Sequence, residues 1–263
     1  MIESSRISSS VVGDIPSTTP ALPREVDRPE LKRCKTVAVE GNIGCGKSTF
    51  LKTFGNYENI EILMEPVDKW KNVMGVNALD LMYKDAKRWS CAFQSLVTLS
   101  MLDLHAAPKH PNHVKMMERS IYSTRHCFMV NFKDSGLIHP MDFEMLSTCH
   151  DWIYENEYIE LDLIVYLRAS PEVCVSRIKK RNRAEESGVP LDYLRRLHEL
   201  HEDWLMKGKK GALPCPVWVI DANKDQRDLE SEIESLRKNI LSGVTSVASD
   251  VTSGLCQATP QLV

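Results

Sequence analysis

The segment that decides the fold is Thr36–Thr49, with the sequence TVAVEGNIGCGKST. It opens with a short run of β-branched and small apolar residues, 36–39, which predicts a buried β-strand. The next residues match the spacing G-x-x-x-x-G-K-[ST], and an apolar helical pattern begins directly afterwards at Phe50. A glycine-rich loop between a buried strand and a helix predicts a binding site for the phosphates of a nucleoside triphosphate.

Each residue type in this loop has a physical reason. Glycine permits the backbone turns that direct N–H groups at an anion, and the following helix adds its positive dipole end. Lys47 supplies a charge for the β- and γ-phosphates, and the hydroxyl of Ser48 is a ligand for Mg²⁺. A glycine-rich turn without a ligand fits less well, because chance matches rarely lie between a strand and a helix. The predicted ATP-binding residues of the loop are Gly41, Asn42, Ile43, Gly44, Cys45, Gly46, Lys47, Ser48 and Thr49.

The composition is that of a globular protein with one main domain. The chain has 263 residues, of which 43% are hydrophobic and 26% are charged. Its net charge of −3 gives no argument for nucleic acid or a membrane surface as a partner. The eight cysteines include no C-x-x-C pair, and their mostly apolar contexts favour reduced thiols over disulfides.

Both ends of the chain differ in composition from the middle. Residues 1–35 are rich in Ser, Pro and Thr, and residues 242–263 lack an apolar period, so we expect two disordered tails around a domain at 36–241. The first segment contains several acidic residues, whereas a mitochondrial presequence is Arg-rich and poor in acids. We therefore expect a cytoplasmic or nuclear protein.

Strand-like and helix-like patterns alternate along the domain. Short apolar runs predict strands at 36–39, 60–66, 114–117, 162–167 and 216–221, and periodic spacing predicts helices at 86–106, 121–133, 140–157, 190–209 and 226–240. This alternation predicts an α/β fold with a parallel sheet of five strands and helices on both faces. In such folds ligands bind at the carboxyl ends of the strands.

Charged residues follow three of these strands. Glu65 comes after the second strand, Glu118 and Arg119 after the third, and the basic stretch 179–183 after the fourth. A carboxylate such as Glu65 can accept the proton of an attacking hydroxyl, and Glu118 can hold Mg²⁺. Arg119 can pair with Glu65 or contact a phosphate. Each residue alone could lie on an ordinary surface, but three matching strand ends indicate one site.

Several classes of nucleotide-binding protein are alternatives. A regulatory GTPase would need a D-x-x-G segment and an N-K-x-D segment; the chain has no D-x-x-G, and residues 223–226 miss N-K-x-D by one position. Protein kinases use a different glycine-rich loop. A small-molecule kinase remains, with a thymidylate-type nucleoside monophosphate kinase and a regulatory module without an acceptor as rivals. Only Lys69 and Lys71 near Glu65 could hold an acceptor phosphate.

Seven segments together resemble the deoxyribonucleoside kinases. They are EGNIGCGKST, EPVDKW, LMYKD, FQSLVTLSML, ERSIYSTRHCF, DLIVYLRASPEV and RNRAEES, within the range 36–240. The resemblance implies a P-loop kinase with a five-stranded parallel sheet and a short Arg-rich lid, assembled as a homodimer. It implies Mg²⁺-dependent transfer of the γ-phosphoryl group of ATP to the 5′-hydroxyl of deoxynucleosides, pyrimidines preferred. Feedback inhibition by a deoxynucleoside triphosphate is a further family expectation.

The same resemblance assigns the catalytic roles. It implies that Glu65 is the general base on the 5′-hydroxyl, that Arg119 lies beside it, and that Lys47 acts on the phosphates. Ser48 and Glu118 are implied to serve the Mg²⁺ site. The implied lid arginines, which also contact ATP, are Arg181 and Arg183.

The resemblance also implies a site for the nucleoside. Gln94 is expected to read the base edge, because its amide offers both a donor and an acceptor. Phe128 is expected to stack on the base, and Tyr83 and Glu186 to hold the 3′-hydroxyl. Thr124 stands where relatives carry Ala, which predicts a narrower site that disfavours purines. The whole implied set is Glu65, Trp70, Met82, Tyr83, Gln94, Val97, Met101, Arg119, Thr124, Phe128 and Glu186.

Overall fold

A computed structural model describes residues 35–108, 110, 113–186, 188–209, 213–224 and 230–245. The two predicted tails, 1–35 and 242–263, lie outside these residues apart from Lys35 and the helical residues 242–245. Among the described residues, no helix is both long enough and apolar enough to cross a bilayer.

The centre of the fold is a parallel sheet of five strands in the order β2-β3-β1-β4-β5. The strands are β1 (Thr36–Glu40), β2 (Ile60–Leu63), β3 (Val114–Glu118), β4 (Leu163–Arg168) and β5 (Val217–Asp221). Strand β1 lies in the middle, with Val39 opposite Glu118 on β3 and opposite Val165 on β4. This confirms the predicted five-stranded parallel sheet.

Helices cover both faces of the sheet. They are α1 (Lys47–Lys52), α2 (Val67–Lys71), α3 (Ala78–Lys84), α4 (Ala86–Ala106), α5 (Ile121–Ser123), α6 (Val130–Asp134), α7 (Pro140–Asn156), α8 (Pro171–Arg181), α9 (Leu191–His201) and α10 (Glu230–Thr245). Two π-helical turns, Thr124–Met129 and Glu202–Met206, continue α5 and α9, and a 3₁₀ turn at Ala184–Glu186 follows α8. The long helix α4 has the bounds predicted from its apolar period.

Alternate residues of β1 enter different parts of the core. Val37 and Val39 pack in a cluster with residues of α1, α8 and α10, whereas Ala38 packs with residues of α9. Both faces of the central strand are thus buried, as its uninterrupted apolar run predicted. A third cluster joins α3, α4 and α7 beyond the sheet and forms the wall of the site described below.

Several predicted boundaries differ from the structure. The helix predicted at 190–209 begins at Leu191 and passes into the second π-helical turn, which ends at Met206. Strand β2 ends at Leu63, before Glu65, because pairing with β3 stops at Leu63 and the chain then turns, with Val67 N donating to Glu65 O at 2.8 Å. The predicted helix at 121–133 is interrupted by the first π-helical turn, which apolar spacing does not reveal. The last helix, predicted to end at Ile240, continues to Thr245.

Candidate active site

The phosphate loop has the geometry that its glycines predict. Gly41 has φ +140°, and a Cβ there would lie 2.6 Å from the carbonyl oxygen of Leu167. Gly44 has φ +77°, and its Cβ would lie 2.8 Å from the carbonyl oxygen of Cys174. Both positions therefore require glycine. The Nζ atom of Lys47 donates to the carbonyl oxygens of Gly41 (3.2 Å) and Asn42 (2.9 Å), so its charge is held inside the loop.

Cys45 lies in this loop with its side chain directed into the protein interior, where its Sγ atom accepts from Nζ of Lys47 at 4.0 Å. Its side chain is buried in the core cluster behind β1, with 1% of the residue exposed. This is the orientation expected for a loop position whose side chain points away from bound phosphates.

Ser48 and Glu118 meet at the carboxyl edge of the sheet. The hydroxyl of Ser48 donates to both carboxylate oxygens of Glu118, at 2.9 and 3.1 Å. Ser48 is in the first turn of α1, and Glu118 is the last residue of β3. A hydroxyl and a carboxylate are the oxygen ligands that Mg²⁺ prefers, so this pair fits the predicted metal site.

Glu65 and Arg119 form the predicted ion pair. The Nε atom of Arg119 lies 3.0 Å from Oε1 of Glu65, in an ion contact rather than an aligned hydrogen bond. Burial raises the pKa of Glu65; the Arg119 cation opposes this rise and the nearby Glu118 reinforces it. A carboxylate with a raised pKa is a stronger base towards a hydroxyl proton.

Arg119 connects this carboxylate to the phosphate loop. Its Nη1 atom donates to the carbonyl oxygen of Gly41 at 2.9 Å, and its guanidinium lies 4.7 Å from the ring centre of Phe128. The backbone of Arg119 is left-handed, with φ +66°, which is uncommon for a residue with a side chain. Backbone strain of this kind clusters at functional sites.

Next to the ion pair is a cavity of about 290 Å³, here called the aromatic cavity. All eleven residues of the predicted nucleoside set line it, from Glu65 on the β2 side to Glu186 on the 3₁₀ turn. Trp70 contributes an aromatic wall, packing edge-on against Phe93 with ring centres 5.8 Å apart. Its Nε1 atom donates to the hydroxyl of Ser100 at 2.9 Å, which fixes the indole on α4.

Among the polar residues of this cavity, Gln94 gives the clearest indication of what kind of ligand binds there. It is 2% exposed, and its Oε1 atom has no hydrogen-bond partner among the described residues. A buried amide oxygen left without a partner is costly, so it indicates a ligand with a complementary donor.

The two predicted lid arginines are held by one carboxylate. Arg181 at the end of α8 pairs with Oε2 of Glu186, and Nη1 of Arg183 donates to Oε1 at 2.8 Å. Glu186 is 5% exposed and its neighbour in the cavity is Tyr83, whose pKa burial raises. The arginines and the predicted sugar ligands thus form one cluster.

A second cavity of about 630 Å³, the phosphate cavity, lies on the other side of the loop. Both cavities are lined by Gly44, Lys47, Ser48, Glu118, Arg181 and Arg183, so they meet at the phosphate loop. Arg177 of α8 borders the second one and donates through Nη1 to the carbonyl oxygens of Cys45 (2.9 Å) and Ala222 (2.8 Å).

Several site residues were not predicted. Phe93, Phe132 and Tyr193 line the aromatic cavity, and Arg177 ties the phosphate loop to the turn after β5. The helical period around Gln94 could have indicated Phe93. Tyr193 carries no such signal, because only the tertiary packing of α9 brings it to the cavity.

Comparisons with known proteins identify the family of this chain. A family model described as deoxynucleoside kinase matches residues 37–246. The chain belongs to the deoxynucleoside kinase family. It is 45% identical to mitochondrial thymidine kinase 2 of Macaca fascicularis over 84% of this chain and 83% of that protein. It is also 45% identical to the Homo sapiens enzyme of that name, over 81% and 80% of the two chains.

A second group of relatives has a different named substrate. Deoxycytidine kinase of Mus musculus is 35% identical over 80% of this chain and 92% of that protein. Membership of the family makes this chain a phosphotransferase that uses ATP. The phosphate loop and the adjoining aromatic cavity are therefore the candidate donor and acceptor sites of this family member.

Proposed function

We propose that this protein transfers the γ-phosphoryl group of ATP to the 5′-hydroxyl of deoxynucleosides, with thymidine and deoxycytidine preferred over purines. The observation that carries the proposal is the Glu65–Arg119 pair, which lies between the phosphate loop and the aromatic cavity. That cavity is lined by an amide oxygen, Oε1 of Gln94, that has no hydrogen-bond partner within the described part of the chain. A hydroxyl bound beside Glu65 has the carboxylate that accepts its proton on one side and the phosphates of ATP on the other. Reaction in such a site depends on positioning and electrostatics.

In the proposed reaction, the O–H bond of the 5′-hydroxyl breaks and Glu65 takes its proton. The freed oxygen forms a bond to the γ-phosphorus, while the bond to the bridging oxygen of ADP breaks. Arg119 contacts Glu65 and also donates to the carbonyl oxygen of Gly41. It thereby fixes the position of the Glu65 carboxylate relative to the phosphate loop. Lys47 and the lid arginines, Arg181 and Arg183, stabilise the charge on the transferred group.

The Ser48–Glu118 pair supports a Mg²⁺ ion at the same place. When bound, Mg²⁺ neutralises phosphate charge and orients the donor. We propose that Ser48 and Glu118 hold it, since their oxygen atoms already lie 2.9 and 3.1 Å apart.

The aromatic cavity supports a pyrimidine deoxynucleoside as the acceptor. Its volume of about 290 Å³ suits a small ligand. We propose that Gln94 pairs with the base edge, that Phe128 stacks on the base, and that Tyr83 and Glu186 bind the 3′-hydroxyl. Trp70, Met82, Val97, Met101 and Thr124 enclose the base.

The rival monophosphate kinase is less well supported by the charges near Glu65. An acceptor phosphate would need free cations there, but Lys71 pairs with Glu185 at 2.9 Å and Lys69 lies 3.5 Å from Asp103. Both lysines are therefore directed at carboxylates of the protein, and neither lines the aromatic cavity.

Two further parts of the proposal concern assembly and control. A homodimer is supported by apolar side chains exposed on the neighbouring helices α4 and α7. Inhibition by a deoxynucleoside triphosphate is supported by the contact between the two cavities, because one molecule could place its nucleoside in the first and its phosphates on the loop. A cytoplasmic or nuclear location stays a prediction.

The test is ATP-dependent phosphorylation of the four deoxynucleosides and of thymidine monophosphate, by wild type and by Glu65→Gln. We expect turnover of thymidine and deoxycytidine, and a loss of kcat of about 10²–10⁴-fold in the variant, as for removal of a general base. Glu61→Gln is the matched control, because it removes the same charge from a glutamate on β2 that lines neither cavity. Turnover of the monophosphate alone, or an unchanged rate in Glu65→Gln, would overturn the proposal.

A further inference from the structure

Glu40 is a buried carboxylate that the proposed reaction does not use. It is the last residue of the central strand β1 and is fully buried. It lies opposite Tyr166 on β4, next to an apolar cluster that includes Ala38. A carboxylate at such a position is costly unless it is paired, so an apolar residue would serve the core better.

The side chain of Glu40 contacts the turn after β3, which contains Arg119 and Ser120 and is here called the catalytic turn. Its Oε1 atom accepts a hydrogen bond of 2.6 Å from the hydroxyl of Ser120, which is itself fully buried. Its Oε2 atom is also buried and has no partner among the described residues. Ser120 is the residue directly after Arg119, so one carboxylate oxygen is committed to the turn that carries the catalytic arginine.

Strand β1 holds this turn on both sides of Arg119. The backbone N–H of Arg119 donates to the carbonyl oxygen of Val39 at 2.9 Å, and the next side chain, Ser120, donates to Glu40. Between these two hydrogen bonds, Arg119 adopts its left-handed backbone conformation. A residue with a Cβ atom stays in that conformation only when its surroundings hold it there.

The turn must be held because Arg119 makes contacts in two directions. Nη1 reaches Gly41, the residue after Glu40, at 2.9 Å, and Nε reaches Glu65 at 3.0 Å. Release of Ser120 would let the turn relax and would move both ends of the guanidinium. Burial raises the pKa of Glu40 to about 7, whereas the Arg119 cation, the hydroxyl groups of Ser120 and Ser123, and the Lys47 cation act to lower it. The carboxylate therefore lies near two cations of the site.

We propose that Glu40 is a positioning residue for phosphoryl transfer. By holding Ser120, it keeps Arg119 in the conformation that aligns Glu65 with the phosphate loop. The inference rests on the proposed roles of Glu65 and Arg119. It differs from a purely structural role, which would lower stability without a specific effect on kcat.

The test compares kcat, KM and thermal stability for Glu40→Gln and Ser120→Ala at pH 8, with ATP and thymidine. Misalignment of a reacting group costs up to about 10²-fold in rate, so we expect kcat to fall at least about tenfold in each variant. KM for both substrates should change less than about twofold, since the phosphate loop and the aromatic cavity are left in place. Glu202→Gln is the matched control, because Glu202 is another buried carboxylate, paired with Tyr166 and Arg168 outside both cavities.

A double-mutant comparison separates positioning from general damage. In an Arg119→Lys background, Glu40→Gln should lower kcat by less than about twofold, because the group through which it acts has already been changed. A persistent tenfold loss in that background, or an unchanged kcat in Glu40→Gln with wild-type stability, would overturn the inference. If the wild type itself fails to phosphorylate deoxynucleosides, the proposed function fails first, and the two failures are thereby distinguished.

Discussion

At the scale of single residues, Thr124 has the clearest link to substrate choice. It is 3% exposed, begins the first π-helical turn and lines the aromatic cavity. Thr124→Ala removes a methyl and a hydroxyl group from the wall and should admit larger bases. We expect kcat/KM for deoxyadenosine and deoxyguanosine, relative to thymidine, to rise by about tenfold or more. Thr148→Ala, on the exposed part of α7, is the control, and an unchanged ratio would contradict the role of Thr124.

A second prediction at this scale concerns the protonation of Glu65. Its pKa is raised, chiefly by burial, and Glu65 acts as a base only when deprotonated. Turnover should therefore decline as pH falls through a value above the ordinary glutamate pKa of about 4.3. Because Arg119 lowers this pKa, Arg119→Gln should move the acidic limb of the pH–kcat profile to higher pH. ATP titrates in the same way in assays of the wild type and of Arg119→Gln, so it cannot cause a difference between them. An acidic limb at the same pH in both would show that the group titrating there is not Glu65.

The sequence predicted residues of the site where chemistry restricts the residue type. Lys47, Ser48 and Glu118 could be found because a phosphate and a metal ion need those groups at that spacing. Gln94 was recognisable as an amide in an apolar helix. Phe132 and Arg177 were missed, because a core aromatic and a helix arginine have many structural uses, and only tertiary contacts show that these two border the cavities.

At the scale of elements, the proposed lid consists of the end of α8 and the 3₁₀ turn after it, and its arginines are held by a proposed substrate-binding residue. Arg181 and Arg183 both pair with Glu186, the proposed ligand of the 3′-hydroxyl. A deoxynucleoside that engages Glu186 competes with these arginines and thereby favours their release towards the phosphates. We therefore expect binding of the acceptor to be coupled to the position of the lid.

This coupling predicts how the enzyme treats a nucleoside without a 3′-hydroxyl. Relative to thymidine, 3′-deoxythymidine should lose about 10²-fold or more in kcat/KM, since it leaves Tyr83 and Glu186 without a partner. In Glu186→Gln the difference between the two substrates should shrink to a few-fold. Equal discrimination by wild type and variant, measured in the same kinetic assay, would show that Glu186 does not bind the 3′-hydroxyl.

Elements with a regular period could be predicted, and irregular ones could not. Helix α4 follows its apolar period from Ala86 to Ala106, and α8 begins after an N-cap at Ser170 with proline next. The π-helical turn at Thr124–Met129 was missed, because an inserted residue changes hydrogen bonding without a distinct composition. That turn brings both Thr124 and Phe128 to the cavity wall.

At the scale of the whole molecule, one surface is unusual for a single chain in water. Leu99 of α4 is 63% exposed, and Met141, Met145 and Trp152 of α7 are 62%, 60% and 55% exposed. The two helices contact each other, so their exposed apolar side chains lie on neighbouring elements. Apolar patches of this kind mark protein–protein contacts. They support the proposed homodimer, in which two copies cover the same surface by two-fold symmetry.

Substitution within this surface tests the assembly. In a two-fold interface each residue occurs once in each subunit, so every substitution changes the interface at two places. Met145→Glu combined with Trp152→Glu should therefore convert a dimer into a monomer. Light scattering coupled to gel filtration measures the change. Met74→Glu is the matched control, since Met74 is fully exposed on the turn between α2 and α3. Helix α4 also carries Gln94 and Val97 on its buried side, so loss of the partner should raise KM for thymidine more than KM for ATP. If the double variant has the same solution mass as the wild type, this surface is not the subunit contact.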